Sequence, residues 1–261
     1  MNISLLGKNA LVGGASAGIG RAVAVELAAL GANVTLVART EATLRQALDT
    51  LDTTQGQRHA YLVADFDDSM ILLEKVSELL RQHPIHILIN NTGGPPGGPI
   101  TEAEPERFLN AYHNHLVCNQ LLAQAVLPGM KAAAYGRIVN IISTSVKEPL
   151  ENLGVSNTTR WAVAAWAKTW AGEVGQFGIT VNNVLPGYTT TSRLTEIINN
   201  RAAAQKKSAE EIETLFKNQV PLRRFANPAE IAAAVAFLAS PAAGYINGIN
   251  LPVDGGRTRS L

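Results

Sequence analysis

The chain has 261 residues, enough for one α/β domain with a sizeable core and near the size at which single cores stop growing. Apolar residues make up 46% and charged residues 16%, which suits a compact globule and excludes a disordered chain. A net charge of +1 gives no electrostatic case for nucleic acid or an anionic membrane, and the single cysteine, Cys118, excludes an intrachain disulfide.

The first eight residues lack the apolar core of a signal peptide. No apolar run approaches the roughly 18 residues of a membrane span, so the expected compartment is the cytoplasm. An apolar run, Asn9-Ala10-Leu11-Val12, enters Gly13-Gly14-Ala15-Ser16-Ala17-Gly18-Ile19-Gly20, and a helical pattern follows over residues 21–30. A strand, a glycine turn and a helix in that order make a phosphate cradle. The glycines permit the tight turn, and the helix N-terminus offers N–H groups to an anion. Taken alone, the turn favours the cradle over an ordinary glycine loop without settling it, because Val23 stands where the last small residue of a G-x-G-x-x-G fingerprint would be.

Strands and helices then alternate. Residues 34–38 read as a strand and 40–51 as a helix with Thr40 as its N-cap. A strand at 60–64 ends in Asp65-Phe66, and a helix at 69–82 is stopped by Pro84. A strand at 85–89 enters Asn90-Asn91-Thr92-Gly93 and then the stiff loop Gly93-Gly94-Pro95-Pro96-Gly97-Gly98-Pro99. One long helix is expected between 102 and 134, a strand at 137–142, another long helix at 156–177 and a strand at 179–185 ending in Pro186-Gly187. A helix at 228–238 and a strand at 246–253 finish the chain. This alternation predicts a single domain over 1–261: a Rossmann-type, doubly wound parallel sheet of about seven strands with helices on both faces. The polar stretch 189–218 reads as a helical insertion, either a substrate lid or a solvated excursion. The spacings of Trp161, Trp166 and Trp170 point to core and subunit packing.

The end of the second strand is where an adenosine ribose is read. An acidic side chain there holds a free 2′-hydroxyl, and an arginine accommodates a 2′-phosphate. The chain has Val37-Ala38-Arg39-Thr40, with no acid before Arg39, which favours NADP(H) over NAD(H); the alternative is a surface arginine opening a helix.

These motifs, with Gly136-Arg137-Ile138-Val139-Asn140-Ile141, Pro186-Gly187-x-x-x-Thr191 and the tail from Gly248 to Gly256, resemble the short-chain dehydrogenase/reductase family across the whole chain, in particular its 3-oxoacyl-(acyl-carrier-protein) reductases. The resemblance implies nucleotide contacts from Gly14, Ser16, Gly18, Ile19, Gly20 and Arg39, with Asp65 and Phe66 beside the adenine. It implies that Asn91 and Gly93 line the nucleotide path, and that Pro186, Gly187, Thr189 and Thr191 approach the nicotinamide. It also implies a small carbonyl or alcohol substrate, a homotetramer or homodimer, and no metal.

The family's acid is a tyrosine, with a lysine four residues on, a serine at the preceding strand end and often an asparagine on the long helix. Here Ser143 matches the serine, but Ser156 and Arg160 stand at the tyrosine and lysine positions and His115 at that of the asparagine. A serine hydroxyl is a poor proton donor. Arg160, permanently charged, can bind nicotinamide ribose hydroxyls or stabilise an oxyanion but cannot relay protons. His115 is either an acid or a structural core histidine, and Tyr188 is a second candidate acid. Two functions follow: an oxidoreductase with an unusual acid, or a dinucleotide-binding sensor or scaffold with little turnover.

Overall fold

The computed structural model describes residues 1–260. Seven strands form one parallel sheet: β1 (Asn9–Gly13), β2 (Asn33–Ala38), β3 (Ala60–Val63), β4 (Ile87–Asn90), β5 (Gly136–Ile141), β6 (Ile179–Pro186) and β7 (Asn250–Val253). Their spatial order is β3-β2-β1-β4-β5-β6-β7. The order reverses between β1 and β4, and the crevice beyond their carboxyl ends is where ligands of such sheets bind.

Helices cover both faces, which is why the inner strands are continuous apolar runs. On one face, Ala10, Val12, Leu36, Ile87 and Ile89 pack under α1 (Gly18–Ala29), α2 (Glu41–Leu48) and α9 (Pro228–Ala239). On the other, Leu11, Leu88, Ile138 and Val181 pack under α3 (Ser69–Gln82), α5 (Cys118–Ala132) and α6 (Gly154–Val174). Leu11, at 1% exposure, and its neighbours at 0% alternate between the two cores, the period-two signature of a strand buried on both sides.

The expected fold is the one observed; several details differ. The long helix of 102–134 begins at Pro105, where α4 (Pro105–Tyr112) leads into α5 through a π-helical turn, His113–Val117. The last strand starts at Asn250 and not at 246, because Gly248 (φ +72°) breaks the extended run. Thr40 takes the N-cap position of α2, yet its hydroxyl makes no capping bond. Where caps do form they are strong: Asn227 and Glu230 build a capping box at α9, with Pro228 in the first turn.

The stretch 189–218 is helical as expected. It holds α7 (Ser192–Gln205), capped by Thr191, and α8 (Ala209–Asn218), which carries its own capping box from Ser208 and Glu211. Leu194, Ile198, Ala202, Ile212 and Phe216 give this pair a small core of its own.

A polar ladder crosses the sheet at its carboxyl end. Asn90, Asn140, Asn183 and Asn250 are in register on β4, β5, β6 and β7. Each side-chain Nδ2 donates to the Oδ1 of the next at 2.8 Å. Asn90, Asn140 and Asn183 are buried, and these bonds satisfy most of their amide groups, Asn90 Oδ1 being left without a partner.

Candidate functional site

The glycine turn sits at the switch point. Gly14 and Gly18 both have φ +56°, a conformation that glycine adopts without strain. Asn91 braces the turn from below: its Nδ2 donates to the carbonyl oxygens of Gly13 (3.1 Å) and Gly14 (3.4 Å). The side chain expected to line the nucleotide path is therefore committed to the scaffold. Phe66 is buried at 8% exposure, and its ring packs beneath Gly13. Asp65 is half-buried and accepts from the Asp67 N–H at 3.1 Å. Ser16 and Ile19 are half-buried on the turn, and Gly20 is buried inside α1.

Beyond the turn the crevice is open. A Cβ placed on Gly93 would meet nothing within 4 Å, whereas one on Gly14 would lie 2.7 Å from Asn91 Nδ2. Thr191 closes the turn from the opposite side, since a Cβ on Gly18 would lie 3.3 Å from its methyl group. At the end of β2, Arg39 is exposed and, among the described residues, makes no hydrogen bond or ion pair. These features fit a dinucleotide: a glycine cradle, open space above Gly93 and a free cation where a ribose phosphate would lie.

Pro186 and Gly187 end β6 half-buried, and Gly187 N–H donates to Val253 at 3.0 Å. Thr189 is 5% exposed, and its hydroxyl donates to the Gly187 carbonyl at 3.1 Å. Tyr188 stacks on Phe216 (4.5 Å between centroids, 2° between planes) and donates to Gln219 Oε1 at 3.0 Å. It packs against the core of the α7–α8 pair.

The chemical end is built by β5, α6, the π turn and the loop after β4. Ser143 is half-buried just past β5, and its Oγ accepts from the Ser145 N–H at 3.0 Å. Ser156 is half-buried on the first turn of α6, with Arg160 one turn later on the same face. Arg160 is 8% exposed, and its Nη1 donates to the Ile141 carbonyl at 3.1 Å. Its Nε is buried with no partner. Among the described residues no carboxylate pairs with it. Burial, reinforced by the nearby Arg193, brings its pKa down to about 10, so it remains charged at neutrality.

His115 sits in the π turn at 2% exposure. Burial, followed by the Arg160 charge, holds its pKa well below the usual histidine range, against a hydrogen bond to the Gly93 backbone. The ring is neutral at pH 7, and its hydrogen bond braces the Gly93 loop. The unfolded chain takes up a proton at His115 near pH 6.5 that the folded protein refuses. Folding stability therefore falls as pH drops below about 6.5, by up to about 1.4 kcal/mol per pH unit. Urea titrations at pH 7 and pH 5.5 are expected to show a smaller acid-side loss in His115→Gln than in the parent. His86, also lowered by burial, is present in both and cancels from the difference.

Arg193, two residues into α7, was not singled out by the sequence, which offers no motif there. Its Nη2 donates to the Pro95 carbonyl at 2.6 Å and its Nη1 pairs with Glu196 at 3.0 Å. Trp166 and Trp170 share Gln120 Oε1 through their indole N–H groups and pack in the core. Trp161 instead is 51% exposed beside Ile100 and Leu150.

Fold and turn define the class, a Rossmann-type α/β domain with a polar crevice at the β1–β4 switch. Residues 14–258 match the family model described as Enoyl-(Acyl carrier protein) reductase. The 3-oxoacyl-(acyl-carrier-protein) reductase FabG of Pseudomonas aeruginosa is 36% identical over 97% of this chain and 98% of its own. A tropinone reductase homologue of Arabidopsis thaliana is 35% identical, over 97% of this chain and 76% of its own length. L-sorbose reductase of Gluconobacter frateurii, solved with NADPH and L-sorbose, superposes with a TM-score of 0.92 at 30% identity and full coverage of both chains. The chain belongs to the short-chain dehydrogenase/reductase family. Among the described residues no helix is long and apolar enough to cross a membrane.

Proposed function

We propose that this protein is an NADP(H)-dependent oxidoreductase that interconverts a small carbonyl compound and its alcohol, with Ser143, Ser156 and Arg160 at the reacting end. The observation that carries the reading is the buried, charged Arg160, one helical turn from Ser156 and bonded to the end of the strand that leads into Ser143, with an open crevice at the end of an intact glycine cradle. The nicotinamide, when bound, supplies or accepts a hydride at the substrate carbon. Ser143 and Ser156 hydrogen-bond the substrate oxygen. Neither hydroxyl titrates near neutrality, so the proton passes through Ser156 from solvent and does not originate on it. The fixed charge of Arg160 stabilises the oxygen as it becomes an alkoxide, at low local dielectric where such a charge acts strongly. The α7–α8 pair serves as the lid over this end, and exposed Leu109, Tyr112 and Trp161 supply an apolar face for self-association into a dimer or tetramer.

Arg39, exposed at the end of β2, supports a preference for the 2′-phosphate. The test is NADPH and NADH titration together with a panel of ketones, 3-oxoacyl thioesters and alcohols, on protein whose assembly is fixed by light scattering. Tighter binding of NADPH, with turnover on the panel, is the expected result. Arg39→Ala should weaken NADPH by at least about tenfold, the worth of one charged hydrogen bond, and leave NADH unchanged. Tight NADPH binding with no turnover anywhere would instead favour a dinucleotide-binding sensor.

A further inference from the structure

Arg160 is a largely buried cation with no counterion among the described residues. Its Nη1 is taken by the Ile141 carbonyl. Its Nε is buried and unpartnered, and Nη2 carries no hydrogen bond to any described residue. Nε and Nη2 form the edge of a guanidinium that grips a carboxylate side-on through two parallel N–H···O bonds. Along that edge Nε is buried and Nη2 is not, and neither has a hydrogen-bond partner among the described residues.

A second guanidinium faces the same spot. A Cβ built on Gly94 would lie 3.8 Å from Arg160 Nη2 and 3.9 Å from both Nε and Nη2 of Arg193. Two positive groups thus converge on one point above a residue with no side chain. Arg193 is held there by the Pro95 carbonyl and by Glu196, whose side chain is 52% exposed. His115, which feels the Arg160 charge, stays neutral and supplies no counterion. Like charges repel, so this arrangement carries a cost that an anion between them would relieve.

We infer that Arg160 and Arg193 form a seat for a carboxylate of the substrate, making the preferred substrate an oxo acid and not a neutral ketone. The seat adjoins Ser156 on α6 and lies in the loop after β4, at the chemical end of the crevice. Arg193 rides on α7, so an anion that bridges the two arginines ties the α7–α8 pair to the body of the domain. The inference rests on the oxidoreductase reading for the reaction but not for the binding.

Two probes separate these. The first is a matched pair, 3-oxobutanoate and methyl 3-oxobutanoate, assayed with NADPH. The acid is expected to be favoured in kcat/KM by at least about 20-fold, as for one charge-assisted bidentate contact. Arg193→Gln should bring that ratio to within about threefold, and Arg160→Lys, which keeps the charge and loses the fork, should fall between. The second probe is malonate, titrated calorimetrically into NADPH-saturated protein. It should bind, and Arg160→Gln and Arg193→Gln should each weaken it by about tenfold or more. Equal use of acid and ester by the parent protein would overturn the seat. So would malonate binding indifferent to both substitutions. Malonate that binds the free protein but not the NADPH-saturated protein would assign the charge to the cofactor's diphosphate and overturn it equally. If neither compound is reduced although NADPH binds, the oxidoreductase reading falls, and the malonate titration alone decides the seat by the same criteria.

Discussion

Gly20→Ala is expected to lower the melting temperature by roughly 6–12 °C, from an overpacking cost of about 3 kcal/mol. It should also abolish measurable NADPH binding. The added methyl would press into the Gly14 carbonyl oxygen and stand 2.7 Å from Asn91 Nδ2. Neither neighbour can yield: one is backbone, and the other is pinned by its bonds to Gly13 and Gly14. Gly93→Ala is the informative partner. Its Cβ meets nothing within 4 Å and its φ lies outside the left-handed range, so stability should stay within about 0.5 kcal/mol. A nucleotide lying over that loop would still meet the methyl group, and NADPH affinity should drop. Scanning calorimetry and a fluorescence titration of both variants check this. Equal stability losses, or unchanged NADPH affinity in Gly93→Ala, would contradict the placement of the ligand above Gly93.

Asn140→Leu should destabilise the protein by about 2–6 kcal/mol, among the largest effects of any single substitution in this fold. The new side chain has as many heavy atoms as the old but is bulkier, and the residue is 0% exposed, so overpacking adds to the loss. What is lost is both of its ladder bonds at once, leaving Asn90 Nδ2 and Asn183 Oδ1 buried without partners. Asn250→Ala, at the exposed end of the same ladder, should cost only about 1 kcal/mol because water reaches the vacated bond. Urea unfolding of the two variants gives the comparison. Similar losses at both ends would mean that the ladder contributes through packing and not through its hydrogen bonds.

Much of the fold was legible because it is local. Apolar runs bounded by glycine and proline place the strands, and the order of motifs places the glycine turn at the switch point. The ladder was open to a reader as well: asparagines inside apolar strands at 90, 140 and 183 are costly unless paired. The nucleotide-facing roles were less legible. Asn91 and Phe66 sit at the expected positions in the chain, yet one side chain braces the turn and the other fills the core. A motif fixes where the backbone runs, whereas side-chain direction depends on what packs behind it. Arg193 was invisible for a different reason. Its significance lies in a second arginine 33 positions earlier that reaches the same glycine, a coincidence only the tertiary structure displays.

The π turn between α4 and α5 has a consequence for how this helix tolerates change. A π turn accommodates one residue more than an α turn would. Residues before His113 and after Val117 are therefore read in two different frames, offset by one residue, about 100° of rotation. The frame of α4 presents Leu109 and Tyr112 outward, and that of α5 turns Cys118, Leu122 and Val126 inward. A one-residue deletion within the turn would keep every residue helical and every backbone bond made, yet would put the two halves in the same frame. Either the outer face or the core would then rotate out of place, and His115 would lose its position under Gly93. The segment is thus tuned by its residue count as well as by its composition, and a substitution and a deletion at the same site have different kinds of effect.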